Sequence, residues 1–197
     1  MNRLIFEKMF FSAVQFQTGL FAGEIEKKIL TKVFSAVSTE KGFRIYAFAI
    51  LDNSFFMLSA LENGTALSVR EDMAAVLKAY LDSIAAGDDL RRKLKGAGET
   101  WVSVTPVKGR SDELEVIRYI HLLPASRNYA FSAFDYWWTS LSSYRGRSTW
   151  DFVDVCSVLW KIDPDDGQHA KNLFVRQHRR AERAGNPVPE CLRVRMA

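Results

Sequence analysis

The stretch FRIYAFAILDNSFFMLSAL, residues 43–61, contains two apolar segments separated by one polar pair, Asp52-Asn53. Both segments contain aromatic and β-branched residues, which favour strands. Asp and Asn tolerate the left-handed conformations of a tight hairpin turn. The stretch therefore predicts a β-hairpin with strands at residues 43–51 and 54–61.

A strand and a helix are predicted ahead of this hairpin. Residues 10–17, FFSAVQFQ, mix apolar and polar side chains with residues that favour strands, and they predict a first strand. At residues 24–38, apolar side chains recur every four positions, the spacing of one helix face: Ile25, Ile29, Val33 and Val37. The predicted order through the hairpin is therefore β-α-β-β.

The chain after the hairpin predicts a second helix and a fourth strand. Ser68 and Glu71 have the spacing of a capping box, which predicts a helix that starts there and ends at Gly87. A polar, basic stretch at residues 88–98 separates this helix from a strand at residues 100–107. The hairpin is thus followed by one more α-β unit.

The complete order, β-α-β-β-α-β, is that of a ferredoxin-like fold. We therefore predict an α+β protein with an antiparallel sheet that has two helices on one face. One further helix, capped by Ser111, follows the fourth strand, and two more are predicted near residues 150–160 and 164–184. The predicted organisation is a ferredoxin-like core at residues 1–148 and a helical, basic C-terminal extension at residues 149–197.

The positive charge of the chain is concentrated near its C-terminal end. The formal net charge is +4. Residues 169–197 contain seven Lys and Arg against two Glu, a net charge of +5, and the other 168 residues sum to −1. A basic helix can bind phosphates by counterion release, or its charges can simply form the solvated face of a packed helix. Both alternatives stay open on composition alone.

Composition argues against a membrane protein, a secreted protein and a zinc protein. No apolar run reaches the roughly 20 residues that a spanning helix needs. Charged and amide side chains interrupt residues 1–19, which a signal peptide would not allow. Two cysteines and three histidines are scattered along the chain, whereas a structural zinc site needs four ligands. We expect a cytoplasmic protein with free thiols at Cys156 and Cys191.

Three stretches resemble the REP-associated and related single-tyrosine transposases. FRIYAFAILDNSFFML (43–58) has the position of the family's strand, turn and His-hydrophobic-His strand. IRYIHLLP (117–124) is similar to the family's YIHxNP helix end, and DYWWTSLSSY (135–144) to its Trp-Ser-Ser segment. Leu123 and Thr139 depart from this pattern, which has asparagine and serine there. The resemblance covers roughly residues 8–175 and implies the same ferredoxin-like fold.

The resemblance implies a DNA-cleaving centre that this sequence retains only in part. In the family, two histidines hold a divalent metal, Mg²⁺ or Mn²⁺, at the scissile phosphate, and a tyrosine attacks to form a phosphotyrosine. Tyr119 has the position of that nucleophile. Ser54 and Phe56 have the positions of the two histidines, and Phe56 has no lone pair to offer a metal. We therefore expect no metal cofactor at these positions.

Alternatives stay open for the residues of this centre. Tyr119 is either a packed tyrosine or a surviving nucleophile. His121 is either a core or helix-end histidine or a ligand. A rebuilt metal site is a further alternative, in which other oxygen ligands replace the missing histidines: Asp52, Gln15 and Gln17.

Arginines and one tryptophan are the predicted nucleic-acid-binding residues. Four arginines lie in or near the matched stretches: Arg118, Arg127, Arg145 and Arg147. Four more recur at helical spacing and should form one stripe: Arg176, Arg179, Arg180 and Arg183. Trp138 has the position of the family's packed tryptophan, so Trp137 is the better candidate for stacking on an unpaired base.

These observations favour a transposase-like protein that binds single-stranded or hairpin DNA, lacks catalytic activity and has a DNA-binding or regulatory role. The enzyme alternative is a DNA strand-transferase that uses Tyr119 with a rebuilt metal site. A third hypothesis is a protein-interaction module in which Phe55 and Phe56 form a hydrophobic interface. DNA is the expected partner, no membrane is involved, and the presence of a homo-oligomer stays open.

Overall fold

The computed structural model of the chain describes residues 7–84, 100–147 and 150–193. The predicted basic stretch at residues 88–98 and the predicted helix end at Gly87 lie outside these residues. The predicted domain boundary at residues 148–149 lies outside them too, and it stays a prediction. Within the described part of the chain, no helix is long and apolar enough to cross a membrane.

The sheet has four antiparallel strands in the order β2-β3-β1-β4. Their bounds are β1 Glu7–Gln15, β2 Arg44–Ile50, β3 Ser54–Glu62 and β4 Trp101–Val107. Helix α1, Glu24–Lys41, connects β1 to β2, and helix α2, Ala66–Ile84, lies between β3 and β4 in the chain. This arrangement confirms the predicted α+β, ferredoxin-like βαββαβ fold.

The segment after β4 is helical. Its elements are α3 Arg110–Ser126, a 3₁₀ turn at Ala133–Asp135, α4 Leu141–Tyr144, α5 Val155–Ile162, α6 Gly167–Arg183 and α7 Glu190–Arg193. The two helices predicted near residues 150–160 and 164–184 correspond to α5 and α6. Both begin a few residues later than predicted, because the side chains of Asp154 and Asp166 accept hydrogen bonds from the first-turn amides and so cap them.

The two faces of the sheet contact different helices. Adjacent residues of a strand point to opposite faces. On one face, the Phe55 ring lies 5.2 Å from the Phe34 ring of α1. On the other, the Phe56 ring lies 6.3 Å from Phe11, which lies 6.4 Å from Tyr119 of α3. Helices α1 and α2 therefore cover the Phe55 face, and α3 covers the Phe56 face.

The turn between β2 and β3 is not left-handed, so that expectation is wrong. Among the described residues, the non-glycine residues with positive φ are Asn63, Asn128 and Asn186. The Leu51 amide instead donates to the Ser54 carbonyl at 2.7 Å. The carbonyls of Asp52 and Asn53 accept the amides of Phe21 and Phe16. Contacts with the segment after β1 thus shape the turn, and the two turn residues do not need a special conformation.

Two predicted helix caps are wrong. Helix α2 begins one turn early, because Thr65 and Ser68 bond reciprocally: the Ser68 amide donates to Thr65 Oγ1 at 3.1 Å and the Thr65 amide to Ser68 Oγ at 2.8 Å. Thr65 is thus the N-terminal cap, and Ser68 is the helix residue that bonds back to it. Helix α3 starts after Gly109, whose φ is 90°, with no side-chain cap, so Ser111 lies inside the helix.

The C-terminal helices share the hydrophobic core of the sheet. Phe174 of α6 is buried and stacks on Tyr144 with ring centroids 4.4 Å apart and an interplanar angle of 8°. Leu159 of α5 and Leu192 of α7 belong to the same cluster of buried side chains. Removing α6 would therefore expose core residues as well as remove charges.

A buried hydrogen-bond chain joins α6 to α3 and to the sheet. The Nδ1 of His178 lies 2.9 Å from the Phe174 carbonyl, which can only accept, so Nδ1 carries the proton. The His178 Nε2 then accepts from His121 Nδ1 at 3.0 Å, and His121 Nε2 accepts from Ser140 Oγ at 2.7 Å. Ser140 Oγ accepts the Phe48 amide of β2 at 2.9 Å. Each histidine uses both ring nitrogens, and both are neutral.

Burial is the main reason that these two histidines stay neutral. It lowers the pKa of His178 to about 3, from an ordinary value of 6.5; the Phe174 carbonyl opposes the shift and the charge of Arg118 adds to it. Burial, and then His178, hold the pKa of His121 well below its ordinary value. Unfolding raises both pKa values, so the unfolded chain binds more protons at mildly acidic pH.

Stability should therefore be fully present above about pH 6.5 and fall as the pH decreases. For each histidine that stays neutral in the fold, the free energy of unfolding falls by about 1.4 kcal/mol per pH unit below that value. His178 alone should therefore lower the free energy of unfolding by about 2 kcal/mol at pH 5. Urea unfolding at pH 7.5 and pH 5.0 measures the loss. The His169→Gln variant is the control, because His169 is exposed and pairs with Asp163. Equal stability of the parent at both pH values would contradict the buried neutral pair.

Candidate nucleic-acid interface

The two positions that the sequence resemblance aligns with metal ligands, Ser54 and Phe56, lie on the interior strand β3. Strand β3 pairs with β1 and β2, and Phe56 lies between Ala13 and Ala49 of those strands. Ser54 and Phe56 are both buried. The Ser54 hydroxyl donates to Asn53 Oδ1 at 3.3 Å. These positions therefore provide one weak neutral oxygen and no imidazole.

An arginine covers the phenylalanine ring. The Arg127 guanidinium, just after α3, lies 4.9 Å from the centre of the Phe56 ring, within the range of a cation–π contact. The same arginine lies close enough to Tyr119 to lower the pKa of its hydroxyl. Phe56, Phe11, Tyr119 and Arg127 thus form one group on one face of the sheet, which is the meeting of strand and helix that the sequence resemblance implies.

Tyr119 is buried, and its surroundings disfavour the phenolate. Burial raises the pKa of Tyr119 above its ordinary value of 10, and the charge of Arg127 offsets that shift only in part. A phenol at neutral pH is a weak nucleophile unless a base or a metal activates it. The environment of Tyr119 therefore keeps its hydroxyl protonated at neutral pH.

The residues of the rebuilt-site alternative are not assembled around Ser54. The Asp52 carboxylate pairs with Lys27 Nζ at 2.7 Å. Gln15 is opposite Ser54 in the sheet and is exposed, whereas Gln17 lies beyond the end of β1. Among residues 7–84, 100–147 and 150–193, no three His, Cys, Asp or Glu side chains form a group that could hold a metal ion.

The structure contradicts one further hypothesis for this centre and supports the packed alternative for His121. Phe55 and Phe56 are buried, so they do not form the exposed hydrophobic interface of the interaction-module hypothesis. His121 is a fully buried core histidine, bonded to Ser140 and His178, as the packed alternative expects.

A second group of predicted residues lines a cleft beside α4. Trp137, Arg145 and Arg147 line a cleft of about 210 Å³ together with Phe134. The guanidinium groups of Arg145 and Arg179 lie 5.2 Å and 5.5 Å from the centre of the Phe134 ring. Arginines that are far apart in the sequence are therefore brought to one aromatic side chain.

The arginines of this cleft repel one another. Burial, and then the charges of Arg147 and Arg179, lower the pKa of Arg145, and Asp135 opposes the shift. The guanidinium groups nevertheless remain charged at neutral pH. Crowded like charges favour an anionic ligand.

Helix α6 continues the basic surface. Its buried face contains Phe174 and His178, and its opposite face lines an open groove of about 640 Å³. The charged residues of that groove are the four of the predicted stripe: Arg176, Arg179, Arg180 and Arg183. All four are exposed, so the predicted stripe is present on the surface.

Tryptophans extend the surface on the other side of the cleft. Trp137, Trp138 and Trp150 line a groove of about 580 Å³ together with Ile25 and Lys28. Trp137 is 53% exposed and lines both this groove and the arginine cleft. The surface therefore runs without interruption from the tryptophans through the cleft to α6. We call it the arginine–aromatic surface.

Arg118 does not belong to this surface. It is partly buried in α3, where burial lowers its pKa and Glu115 opposes the shift. It lines a small cavity of about 250 Å³ with Asn186 and Glu190, close enough to His178 to influence its pKa. The structure separates Arg118 from Arg145 and Arg147, two of the three arginines with which the sequence grouped it.

Comparison with known proteins supports the fold. No family model matches the chain, and no curated protein matches it. A solved structure of a REP-associated tyrosine transposase bound to a REP hairpin aligns with a TM-score of 0.55 and 15% sequence identity, over 79% of this chain and 92% of that chain. The two proteins share a fold.

Two aromatic residues near these sites were not found from the sequence. Trp101 is opposite Gln15 on the edge strand β4, on the same face as Ser54, and is 50% exposed. Phe134 is the ring that the guanidinium groups of Arg145 and Arg179 contact in the arginine cleft. Strand alternation could have placed Trp101 on that face, because Gln15 and Ser54 were already assigned to it. No local signal distinguishes Phe134 from the other aromatics of its loop.

Proposed function

We propose that the chain is a transposase-like nucleic-acid-binding protein that holds single-stranded or hairpin DNA through the arginine–aromatic surface and does not cleave it. The observation that carries the proposal is the convergence of Trp137, Arg145, Arg147 and the Phe134–Arg179 pair on one cleft. The transposase that shares the fold was solved with a DNA hairpin bound.

The chemistry of this surface suits an unpaired strand. Guanidinium groups bind phosphate oxygens in a fixed fork geometry, and aromatic rings stack on bases of any sequence. The alternation of arginines with tryptophan and phenylalanine favours a ligand that is both anionic and aromatic.

The absence of cleavage in this proposal rests on the Phe56 position. Arg127 places a positive charge over Phe56, where a divalent metal would have to lie. Neither Phe56 nor the buried Ser54 can replace the imidazole ligands. The donor set therefore does not fit a metal, and burial keeps Tyr119 in its protonated form.

Salt dependence should show that phosphate contacts drive the binding. If four arginines contact a single strand, the slope of log affinity against log salt should be about −3. The Arg179→Gln/Arg183→Gln variant should reduce the magnitude of that slope by about 1.4 and weaken binding about tenfold or more. Fluorescence anisotropy with a labelled hairpin, at 50 to 200 mM salt, measures both quantities (roughly the range over which such slopes are resolved).

The matched control removes the same charge elsewhere. Lys41, at the C-terminal end of α1, and Lys78 of α2 are exposed, and neither lines the arginine–aromatic surface. The Lys41→Gln/Lys78→Gln variant should therefore keep most of the parent's affinity and slope. If both double variants changed the slope equally, binding would depend on net charge and not on this surface. Deleting α6 would not be a suitable test, because its residues Phe174 and His178 belong to the core.

Arg127 should weaken metal binding even after the two histidines are restored. We expect no Mn²⁺ binding by the parent in calorimetry, and no detergent-stable adduct with hairpin DNA. In the Ser54→His/Phe56→His variant, a guanidinium about 5 Å away repels a divalent ion by about 1.7 kcal/mol even in water. Adding Arg127→Gln to that variant should therefore strengthen Mn²⁺ binding about tenfold.

The opposite results are equally clear. Tight Mn²⁺ binding by the parent that is lost in Asp52→Asn, Gln15→Ala or Gln17→Ala would establish a rebuilt site. An adduct that disappears in Tyr119→Phe would establish a nucleophile. Either result would replace the binding proposal with the strand-transferase alternative.

A further inference from the structure

A phenylalanine projects from the loop that follows α3. The Phe131 side chain is 103% exposed, more than any other large apolar side chain of the described residues; the next is Ile25 at 73%. Tyr129, two residues earlier, is also exposed. Leaving a phenylalanine in water forgoes the stabilisation that burial of such a side chain provides in most proteins. An apolar ring that is left wholly in solvent therefore needs an explanation.

The loop that carries Phe131 is held at both ends. Before it, the Tyr129 amide donates to the Pro124 carbonyl at 2.8 Å, and the Tyr129 ring contacts Tyr136. After it, Glu182 of α6 accepts the Ser132 hydroxyl at 3.0 Å and the Ala133 amide at 2.6 Å. The ring is thus presented from a fixed position, which lowers the entropy that a ligand contact would cost.

Positive charge lies on either side of Phe131. Arg127, four residues before it, covers Phe56. The ring of Phe134, three residues after it, contacts the guanidinium groups of Arg145 and Arg179. Since a residue spans at most about 3.6 Å, the Phe131 backbone lies within about 14 Å of both Arg127 and Phe134. An exposed apolar ring within this reach of two guanidinium sites matches one chemical class of ligand, an anionic strand with unpaired planar bases.

We propose that Phe131 stacks on an unpaired base of bound DNA, while the arginines on either side hold the neighbouring phosphates. This inference rests on the proposed DNA-binding function and adds a base contact to it. The phenylalanine ring has no hydrogen-bonding group, so the contact selects for an unpaired base and not for a particular sequence. Fully paired duplex offers no accessible base face and gains nothing from Phe131.

The test compares three DNA ligands and four proteins. The ligands are a hairpin with unpaired loop bases, a single strand of the loop sequence and a blunt duplex of the stem, each end-labelled for anisotropy. The proteins are the parent, Phe131→Ala, Phe131→Trp and Leu67→Ala. Leu67 is the matched control, since it is an exposed apolar residue of α2, on the other face of the sheet. A hairpin with 2-aminopurine in the loop reports stacking directly through fluorescence quenching.

Phe131→Ala should weaken binding of the hairpin and of the single strand about 5- to 100-fold, the range measured for one stacked base. It should leave duplex binding and the salt slope unchanged, because no charge is removed. Phe131→Trp should bind as tightly as the parent or more tightly, and Leu67→Ala should behave like the parent. Quenching of 2-aminopurine should be seen with the parent and lost with Phe131→Ala. Thermal unfolding should be the same for all four proteins, because both positions are exposed.

Three results would overturn the inference, and they are distinguishable. If the parent binds no DNA at any salt concentration, the proposed function fails and this inference fails with it. If the parent binds DNA and Phe131→Ala binds all three ligands equally well, the stacking contact alone is wrong. If Phe131→Ala weakens hairpin and duplex binding alike, or Phe131→Trp does not restore binding, Phe131 does not recognise an unpaired base. An exposed residue that serves a protein partner would give the second result.

Discussion

The hydrogen bond between His121 and His178 is the constraint on which the arrangement of the helices depends. Both rings are buried, and each histidine has one nitrogen that must donate and one that must accept. The donors of this hydrogen-bond series all point one way, from the Ser140 hydroxyl through His121 and His178 to the Phe174 carbonyl. A buried nitrogen that loses its partner costs about 1 to 3 kcal/mol. Helix α6 can therefore neither rotate nor slide along α3, and its arginine face is fixed toward solvent.

The same series of hydrogen bonds joins residues of two of the stretches that carry the sequence resemblance. IRYIHLLP contributes His121 and DYWWTSLSSY contributes Ser140, and these two residues are bonded to each other at 2.7 Å. Trp138 and Trp150 pack together beside them, and the Trp150 indole donates to the Thr139 carbonyl at 2.9 Å. The best-preserved positions of the motifs thus hold the fold together. The departures from the motifs are Leu123, Thr139, and Ser54 and Phe56, the two positions that the resemblance aligns with metal ligands.

Much of the fold could be predicted from the sequence, because its signals are local. The hairpin at residues 43–61 and the helical period at residues 24–38 each depend on neighbouring residues. What could not be predicted depends on partners that are distant in the chain. Arg127 on Phe56 and the two arginines on Phe134 require the packing of α3 and α6 to be known. The cap of α2 was missed for another reason: Thr65 and Ser68 both suit a cap, and only their reciprocal bonds decide between them.

Arg127 can provide one of the two effects of a catalytic metal, attraction of the phosphate, without the other, activation of the nucleophile. A divalent metal at a phosphate both attracts the anion and stabilises the charge that develops during attack, and it can lower the pKa of a nucleophile. A guanidinium also attracts the anion, but here its effect on Tyr119 is smaller than that of burial, which raises the pKa. On the proposed function, the centre would keep the attraction for phosphate and lose the activation of the nucleophile. Its charge would then add to that of the arginine–aromatic surface, since the loop that carries Phe131 runs from Arg127 to Phe134.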